Sequence, residues 1–412
     1  MYDFIIVGAG ISGLYCAYKY MIPNNKKYLI LDKHNYIGGR ALSKKFHNAT
    51  VQLGAGIIED NNKHLLDLLK KLKIKTIPLE SKYKHQYKTI TDEYGTNITN
   101  QIKDVYYKNK TDIKTFKYTF NQFLNIYFSP EFVLEFKNLC DYNDFFEADV
   151  EKVITEYPIE DVIAVSLKFS MIVGGWDVLL NKFLEKIPNG NIQLDKTVME
   201  ITNLNHKVNV DNKLLVKCQD EMYETKNVIF CADIEMKKIR FNGFDSRFNK
   251  KMYDILDHIR SIPFMRMFTY HDQAYDIKNN IRTMTPLNRI IPINPHVLMA
   301  SYCDNDNALF FYELLKKIQH DELKIIVHNM LKNSIDDNDK ITPFSDFILK
   351  YWKHGIHYYK PHNDTKLFNQ DILVDNHILM CGEMISKRQG WVEGSIQSVD
   401  DVYDDVGEMM IN

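Results

Sequence analysis

The feature that most constrains the fold is a glycine-rich turn near the N-terminus, in the segment DFIIVGAGISGLYCAYKYM. Residues 4–7 are all apolar, which predicts a strand buried on both faces. Gly8, Gly10 and Gly13 then form the pattern G-x-G-x-x-G, and apolar residues at helical spacing follow them. The order of strand, tight turn and helix predicts the opening unit of an α/β domain with a parallel sheet.

Such a turn is suited to binding a dinucleotide. Its first glycine permits the turn, its second lets the backbone approach a pyrophosphate, and its third lets helix and strand pack closely. The N–H groups at the helix start then face the anion. A second apolar run, KKYLILDKH, ends at Asp32, where a carboxylate accepts a hydrogen bond from an adenosine ribose hydroxyl. These features predict a Rossmann-like domain, although the fingerprint is shared by NAD and FAD.

The composition restricts the class of partner. The 412 residues include 52 Lys and Arg against 54 Asp and Glu, so no cationic excess favours nucleic acid, and we expect a small-molecule substrate. Six scattered cysteines without a CxxC pair predict reduced thiols and no metal site. Neither a signal peptide nor a transmembrane segment is recognisable, so we expect an intracellular, cytoplasmic protein. The oligomeric state stays open.

Three further motifs resemble the flavin-containing amine oxidase superfamily, which includes monoamine and polyamine oxidases, protoporphyrinogen oxidase and phytoene desaturase. The first is NYIGGRALSKKF, where a Gly-Gly-Arg follows the acidic strand end. The second is VQLGAGIIE, a strand leading into a glycine-rich bend. The third is CGEMISKRQGWVEGSIQSV near the C-terminus, which is similar to the family signature of G-E followed by G-Y/W-V/M-E-G-A/S.

The resemblance implies FAD held between the two ends of the chain. The N-terminal turn would hold the adenosine diphosphate half, and the C-terminal segment the ribityl-flavin half, with the amides of a helix start directed toward the flavin N1/O2 edge. In the monoamine oxidase branch a Cys bonds to the flavin, but no Cys lies between Cys303 and Cys381, so we expect non-covalent FAD. The implied cofactor-binding residues are Gly8, Gly10, Gly13, Asp32, Gly39, Arg40, Gly54, Ala55, Gly56, Val198, Gly382, Glu383, Trp391 and Val392.

Four residues are candidates for the substrate side of the site. Arg266 stands where many amine oxidases have a Lys that holds a water beside flavin N5, and Arg differs in being a permanently charged fork. Tyr358 or Tyr359 is a candidate wall of the substrate cavity. Trp391 occupies the position of an aromatic that forms half of a cage around the amine in monoamine oxidases. The resemblance therefore implies a catalytic set drawn from these four side chains.

The resemblance implies an FAD-dependent, amine-oxidase-like enzyme, in which a small substrate, an amine, gives a hydride to flavin N5 and O2 reoxidises the flavin to yield H2O2. Two alternatives stay open. One is a desaturase or protoporphyrinogen-oxidase-like enzyme with an apolar substrate. The other is a catalytically drifted flavin-binding scaffold.

The predicted architecture is a Rossmann-like α/β FAD-binding domain of the glutathione-reductase type. It is expected to be discontinuous, formed by residues 1–75, 190–240 and 370–412. An α+β substrate-binding domain is expected at residues 76–189 and 241–369.

Overall fold

The computed structural model describes residues 1–79, 83–85, 92–140, 143–157, 168–204, 213–336, 339–362, 373 and 376–411. Two large β-sheets dominate it, and a 760 Å³ cavity is lined by residues from both. The α-helices of the described residues are Ile11–Cys16, Lys63–Lys71, Asp92–Lys108, Lys110–Phe116, Phe120–Tyr127, Pro130–Leu139, Val150–Thr155, Asp177–Leu184, Ser246–Asp257, Asn305–Leu315, His320–Lys332 and Val392–Ile411.

The first large sheet has eight strands and contains the predicted N-terminal strand. Its parallel centre places Tyr2–Val7 between Tyr28–Leu31 and Met222–Phe230. Ile378–Met380, near the C-terminus, lies parallel to the end of Met222–Phe230. The other strands of this sheet are Ile192–Gln193, Glu200–Asn203, Leu214–Lys217 and Arg240–Asn242.

Apolar residues on both faces explain why this sheet lies at the centre of the molecule. Alternate side chains of a strand point to opposite faces. Phe4 and Ile6 therefore join a core formed with the helices Ile11–Cys16, Asp177–Leu184 and Val392–Ile411. Ile5 and Val7 join the opposite core, to which the helix Ser246–Asp257 contributes. The all-apolar run predicted as a doubly buried strand is thus covered on both sides.

The second large sheet has six strands and is mainly antiparallel. Its long strands Ile259–Tyr270 and Asp346–Tyr359 pair along most of their length, and Val297–Asp304 pairs with the other edge of Ile259–Tyr270. The helices Asn305–Leu315 and His320–Lys332 cover one face with apolar side chains. The remaining strands of the sheet are Tyr83–His85, Asn280–Arg282 and Arg289–Asn294.

Two small sheets and an aromatic helical layer complete the described structure. Five phenylalanines form much of the core of that layer, which also contacts the second sheet through Ile262 and Tyr358. These phenylalanines are Phe120, Phe123, Phe136, Phe145 and Phe146. The small sheets are the hairpin of Ser43–Phe46 with Ala49–Gln52, and the trio of Ile58–Glu59, Phe169–Ile172 and Thr76–Leu79.

The predicted fold class is confirmed, because a Rossmann-like α/β unit is combined with a second, mainly antiparallel sheet. Strands from all three segments assigned to the discontinuous domain share the first sheet. The domain boundaries themselves stay a prediction. In the described part of the chain, no helix is both long and apolar enough to cross a membrane. Nor do the described His, Cys, Asp and Glu residues form a group of three or more that could hold a metal ion.

Candidate functional site

The cavity opens where parallel strands of the first sheet end. Val7 and Leu31, the last residues of their strands, line it together with Gly8. Ligands of open α/β sheets bind at this carboxyl edge. Trp391, from the opposite end of the chain, lines the same cavity. Two motifs separated by most of the sequence therefore meet around one space.

The N-terminal turn has the close packing that its glycines predict. A Cβ atom added at Gly13 would lie 2.0 Å from the Gly8 carbonyl oxygen, so only glycine allows this approach of helix to strand. A Cβ at Gly10 would meet nothing within 4 Å, although Gly10 lines the cavity. The helix Ile11–Cys16 begins directly after Gly10. The turn is thus tightly packed at Gly13, against the end of the strand, and open at Gly10, where it borders the cavity. An anion-binding turn requires this combination.

Asp32 holds this turn from the end of the next strand. Its Oδ2 accepts a hydrogen bond from the Ala9 N–H at 2.7 Å, and its Oδ1 accepts one from the His34 N–H at 2.8 Å. Asp32 also lines the cavity, as does Val198. The Gly38 N–H donates to the Ala9 carbonyl at 2.9 Å, which brings the second glycine pair against the first turn. The predicted adenosine-side residues are therefore neighbours.

The C-terminal segment is connected through the last helix to the helix that follows the N-terminal turn. The Gly382 N–H donates to Ser398 Oγ at 2.8 Å, which ties the segment to the last helix, Val392–Ile411. That helix starts at the cavity, where Trp391 and Val392 are both part of the lining. Farther along it, the hydroxyl of Tyr15 donates to Asp400 at 3.0 Å, joining the first and last helices.

A network of hydrogen bonds around the buried Glu383 links the Gly-Gly-Arg motif to the C-terminal motif. Arg40 Nη1 donates to Glu383 Oε2 at 2.7 Å, and His357 Nδ1 lies 2.7 Å from the same oxygen. The other oxygen, Oε1, accepts the N–H of Gly390 at 2.7 Å. Burial opposes ionisation of Glu383, but the Arg40 charge and then His357 outweigh it, so the pKa of Glu383 lies well below its usual range. Glu383 thus stays a carboxylate and fixes the turn before the last helix.

Arg266 is buried at the cavity wall. Its Nη1 donates to the Gln52 carbonyl at 3.2 Å, and its guanidinium carbon lies 4.4 Å from the centre of the Tyr302 ring. A Cβ atom at Gly56 would lie 2.2 Å from Nη1, so the guanidinium occupies space that only a glycine leaves free. The Nε–H has no hydrogen-bond partner among the described residues. A fixed positive charge with unused donor capacity therefore borders the cavity.

The structure separates the two candidate tyrosines. Tyr358 lines the cavity and packs edge-on against Tyr157, with ring centres 5.1 Å apart. Tyr359 lies in the core on one face of the first sheet, and its N–H donates to Gln389 Oε1 at 2.9 Å. Consecutive strand residues face opposite sides, so only one of the pair can reach the cavity. The expectation is therefore corrected in one respect: Tyr359 is not a cavity wall.

All the other predicted residues except Gly13 line the cavity, and Gly13 supports the turn from behind. The structure adds Asp144, Tyr157, Tyr302 and Gln389, which sequence reasoning missed. Asp144 is 2% exposed and lies in the segment NDFFEAD, which matches no motif. Only the packing of the helical layer against the second sheet brings it to the site.

The fold and this cavity define an α/β protein of the Rossmann-like, dinucleotide-binding class, and the comparisons with a family model and with a solved structure agree with this fold. Residues 6–72 match the family of NAD(P)-binding Rossmann-like domains. An uncharacterized protein of Acanthamoeba polyphaga mimivirus is 21% identical over 488 aligned positions, covering 97% of this chain and 92% of that protein. A putrescine oxidase, solved as a double mutant from a redesign of cofactor binding, has a TM-score of 0.70 at 12% identity, covering 99% of each chain.

The predicted resemblance to flavin-containing amine oxidases is therefore confirmed at the level of the fold. The residues present also fit a flavin dinucleotide. A glycine turn that is open toward the cavity and the helix start at Val392 both border it. Both can supply backbone N–H groups to a ligand that carries phosphates and a polar ring edge.

Proposed function

We propose that this protein is an FAD-dependent oxidoreductase of the amine oxidase type, acting on a small amine with O2 as electron acceptor. The single observation that supports this most is the meeting of the N-terminal turn and the segment around Trp391 at one cavity. An NAD site requires the N-terminal glycine turn but does not require the segment around Trp391. A dinucleotide that carries a flavin uses both.

In this proposal the protein binds and orients, while the bound flavin supplies the hydride acceptor. The turn around Gly10 holds the pyrophosphate, and the N–H groups at Trp391 and Val392 stabilise negative charge on the flavin ring. Tyr358 and Trp391 are aromatic walls that orient the substrate. Arg266 provides a permanent positive charge on the same side, where many amine oxidases use Lys.

The visible spectrum of the purified protein, followed by identification of the flavin released on denaturation, tests the cofactor. Released FAD supports the proposal, whereas a colourless protein that does not take up added FAD would refute it. Anaerobic bleaching by a panel of amines then tests the substrate class. Bleaching only by a porphyrinogen or a lipid would indicate the desaturase-like alternative. Bleaching by dithionite alone would indicate a scaffold.

A pair of variants tests the assignment of the cavity wall. Tyr358→Leu removes an aromatic wall and should lower kcat/KM for the best amine by roughly 10-fold while the flavin spectrum is kept. Tyr359→Phe removes only a hydroxyl in the core and should leave kcat/KM unchanged. Equal loss in both variants would show that the effect is not specific to the cavity.

Rapid mixing of the reduced protein with O2 tests the acceptor. Formation of one H2O2 per flavin within the turnover time supports the oxidase assignment. The Arg266→Lys variant shows whether the residue found in many relatives speeds this step. Slow reoxidation by O2 with fast reduction of an artificial dye would indicate a dehydrogenase instead.

A further inference from the structure

Two cations face each other across the long strands of the second sheet, at the wall of the cavity. Arg266 on Ile259–Tyr270 is in register with Lys350 on Asp346–Tyr359, and both residues belong to the cavity lining. Side chains directly opposite on an antiparallel pair share a face, with Cβ atoms about 4.5 to 5.5 Å apart. Like charges in this arrangement repel each other, so an anion bound between them would relieve the repulsion.

Arg266 has donor capacity that the protein does not use. The residue is 3% exposed, and its Nη1 donates to the Gln52 carbonyl at 3.2 Å. Its Nε–H has no hydrogen-bond partner among the described residues. A buried donor without a partner is costly, and a ligand that supplies an acceptor regains that free energy.

Lys350 is held by aromatic rings. Its Nζ lies 4.7 Å from the centre of the Trp352 ring and 5.7 Å from that of Tyr36. Burial and then the Lys44 charge lower the pKa of Lys350, and no carboxylate of the described residues opposes them. The positive charge of Lys350 therefore has no counter-charge in this part of the protein.

Three carboxylates of the cavity lining already have other cations as partners. Glu383 pairs with Arg40 at 2.7 Å. Asp233 and Glu235 both pair with Lys33, at 3.2 Å and 2.6 Å. These carboxylates are therefore engaged away from the cross-strand cations.

An aromatic pair lies beside the two cations. Phe264 is in register with Trp352, two residues along the same strands, and both line the cavity. Alternate residues of a strand share a face, so the two pairs are neighbours. Trp352 Nε1 donates to the Leu53 carbonyl at 2.7 Å, which leaves the ring as an apolar surface. We call Arg266, Lys350, Phe264 and Trp352 the cationic–aromatic patch.

We infer that the cationic–aromatic patch is a binding site for an organic carboxylate with an apolar body. A planar guanidinium matches a carboxylate, the ammonium adds a second positive charge, and the two rings cover the apolar part. The glycine turn, where the proposed function puts the pyrophosphate, lies on the first sheet, whereas the patch lies on the second. The carboxylate belongs either to the substrate, as an amine that also carries an acid group, or to a separate organic acid. Binding of the carboxylate does not depend on the proposed function.

Calorimetric titration of the purified protein with hydrocinnamate and with its neutral amide tests the site. The two probes differ only in the charged group, so we expect the Kd of the acid to be lower by roughly 10- to 100-fold. Acetate has the charge but lacks the apolar body, and should bind roughly 10-fold more weakly than hydrocinnamate. Equal binding of the acid and the amide would overturn the inference.

Variants of the patch locate the binding. Lys350→Gln and Arg266→Gln should each reduce the preference for the acid over the amide by roughly 10-fold, whereas Arg266→Lys keeps the charge and should retain part of it. Arg260→Gln is the matched control, because Arg260 is on the same strand but does not line the cavity. If Arg266→Gln does not fold, Lys350→Gln at its partly buried position decides the test. A preference that survives in Lys350→Gln, or that Arg260→Gln abolishes equally, would exclude the patch as the site.

Anaerobic flavin reduction by free phenylalanine and by phenethylamine distinguishes the two sources of the carboxylate. These amines differ only in the acid group. Faster reduction by phenylalanine, with the advantage lost in Lys350→Gln, would assign the carboxylate to the substrate. No such advantage, with hydrocinnamate still bound at the patch, would assign it to a separate organic acid. Failure of every amine to reduce the flavin would count against the proposed function, whereas the hydrocinnamate titration would still decide the site.

Discussion

Gly10 and Gly13 stand in the same turn, but a methyl group would meet different surroundings at each. Gly13→Ala would force a carbon to 2.0 Å from a backbone oxygen, so we expect a loss of about 2 to 3 kcal/mol in the free energy of unfolding. Gly10→Ala should cost less than about 1 kcal/mol, because the added carbon meets open space. It should nevertheless weaken FAD binding by roughly 10-fold or more, equal to about 1.4 kcal/mol. Urea unfolding of the flavin-free protein and FAD titration measure the two effects.

Gly190→Ala is the matched control for this pair. Gly190 is exposed, and a Cβ there meets nothing within 4 Å. The control should change neither stability nor FAD affinity. If Gly10→Ala lowered the free energy of unfolding as much as Gly13→Ala, the conclusion that Gly10 faces open space would be wrong.

Glu383 makes stability depend on pH in a defined direction. Glu383→Gln removes the charge that pairs with Arg40, and should cost about 3 kcal/mol at pH 7. Because the folded pKa of Glu383 lies below the unfolded value of about 4.3, its contribution is full above that pH and is lost as pH falls through the folded pKa. Urea unfolding from pH 7 to 3 should show the difference between the wild type and the variant begin to shrink below about pH 4.3. Glu313→Gln, which breaks an exposed pair with Lys316, should change stability by less than about 0.5 kcal/mol.

At the scale of elements, the last helix is attached to the first through Asp400. This carboxylate accepts hydrogen bonds from the hydroxyls of Tyr15 at 3.0 Å and Tyr20 at 2.7 Å, and it pairs with Lys19. Asp400→Asn should lower the free energy of unfolding by about 2 kcal/mol, because a charged acceptor is lost to several buried donors. The neighbouring Asp401 pairs only with exposed Lys387 among the described residues. Asp401→Asn should therefore change the free energy of unfolding very little, as measured with urea. If both variants lowered it equally, the attachment of the last helix to the first through Asp400 would be refuted.

At the scale of the whole molecule, the cavity joins both ends of the chain, so FAD should stabilise the fold as a unit. At a free concentration 100 times its Kd, a ligand that binds only the native state adds about 2.7 kcal/mol. FMN lacks the adenosine half and NAD⁺ lacks the flavin, so both should raise Tm less than FAD in a thermal unfolding assay. A larger shift with NAD⁺ would indicate a nicotinamide site and contradict the proposed cofactor.

Local patterns predicted the parts of the site that backbone geometry dictates. The run at residues 4–7, the glycine spacing and the position of Asp32 each describe a contact within a few residues or across adjacent strands, so they are readable without the fold. The segment around Trp391 was recognisable as a motif for the same reason. The sequence could not decide between Tyr358 and Tyr359. Strand alternation puts the two side chains on opposite faces, but it does not say which face borders a cavity.

The sequence by itself determined the Rossmann-like unit, its dinucleotide-binding turn and the helix after Trp391, because these depend on local spacing and backbone conformation. Only the tertiary structure decided that Arg266 is buried above Gly56 and that Asp144 reaches the cavity with Asp304 behind it. Residues 144 and 304 lie on different elements, and no local pattern encodes their approach. Burial and charge pairing arise from the packing of the helical layer on the second sheet, and these long-range contacts set the charge at this part of the cavity.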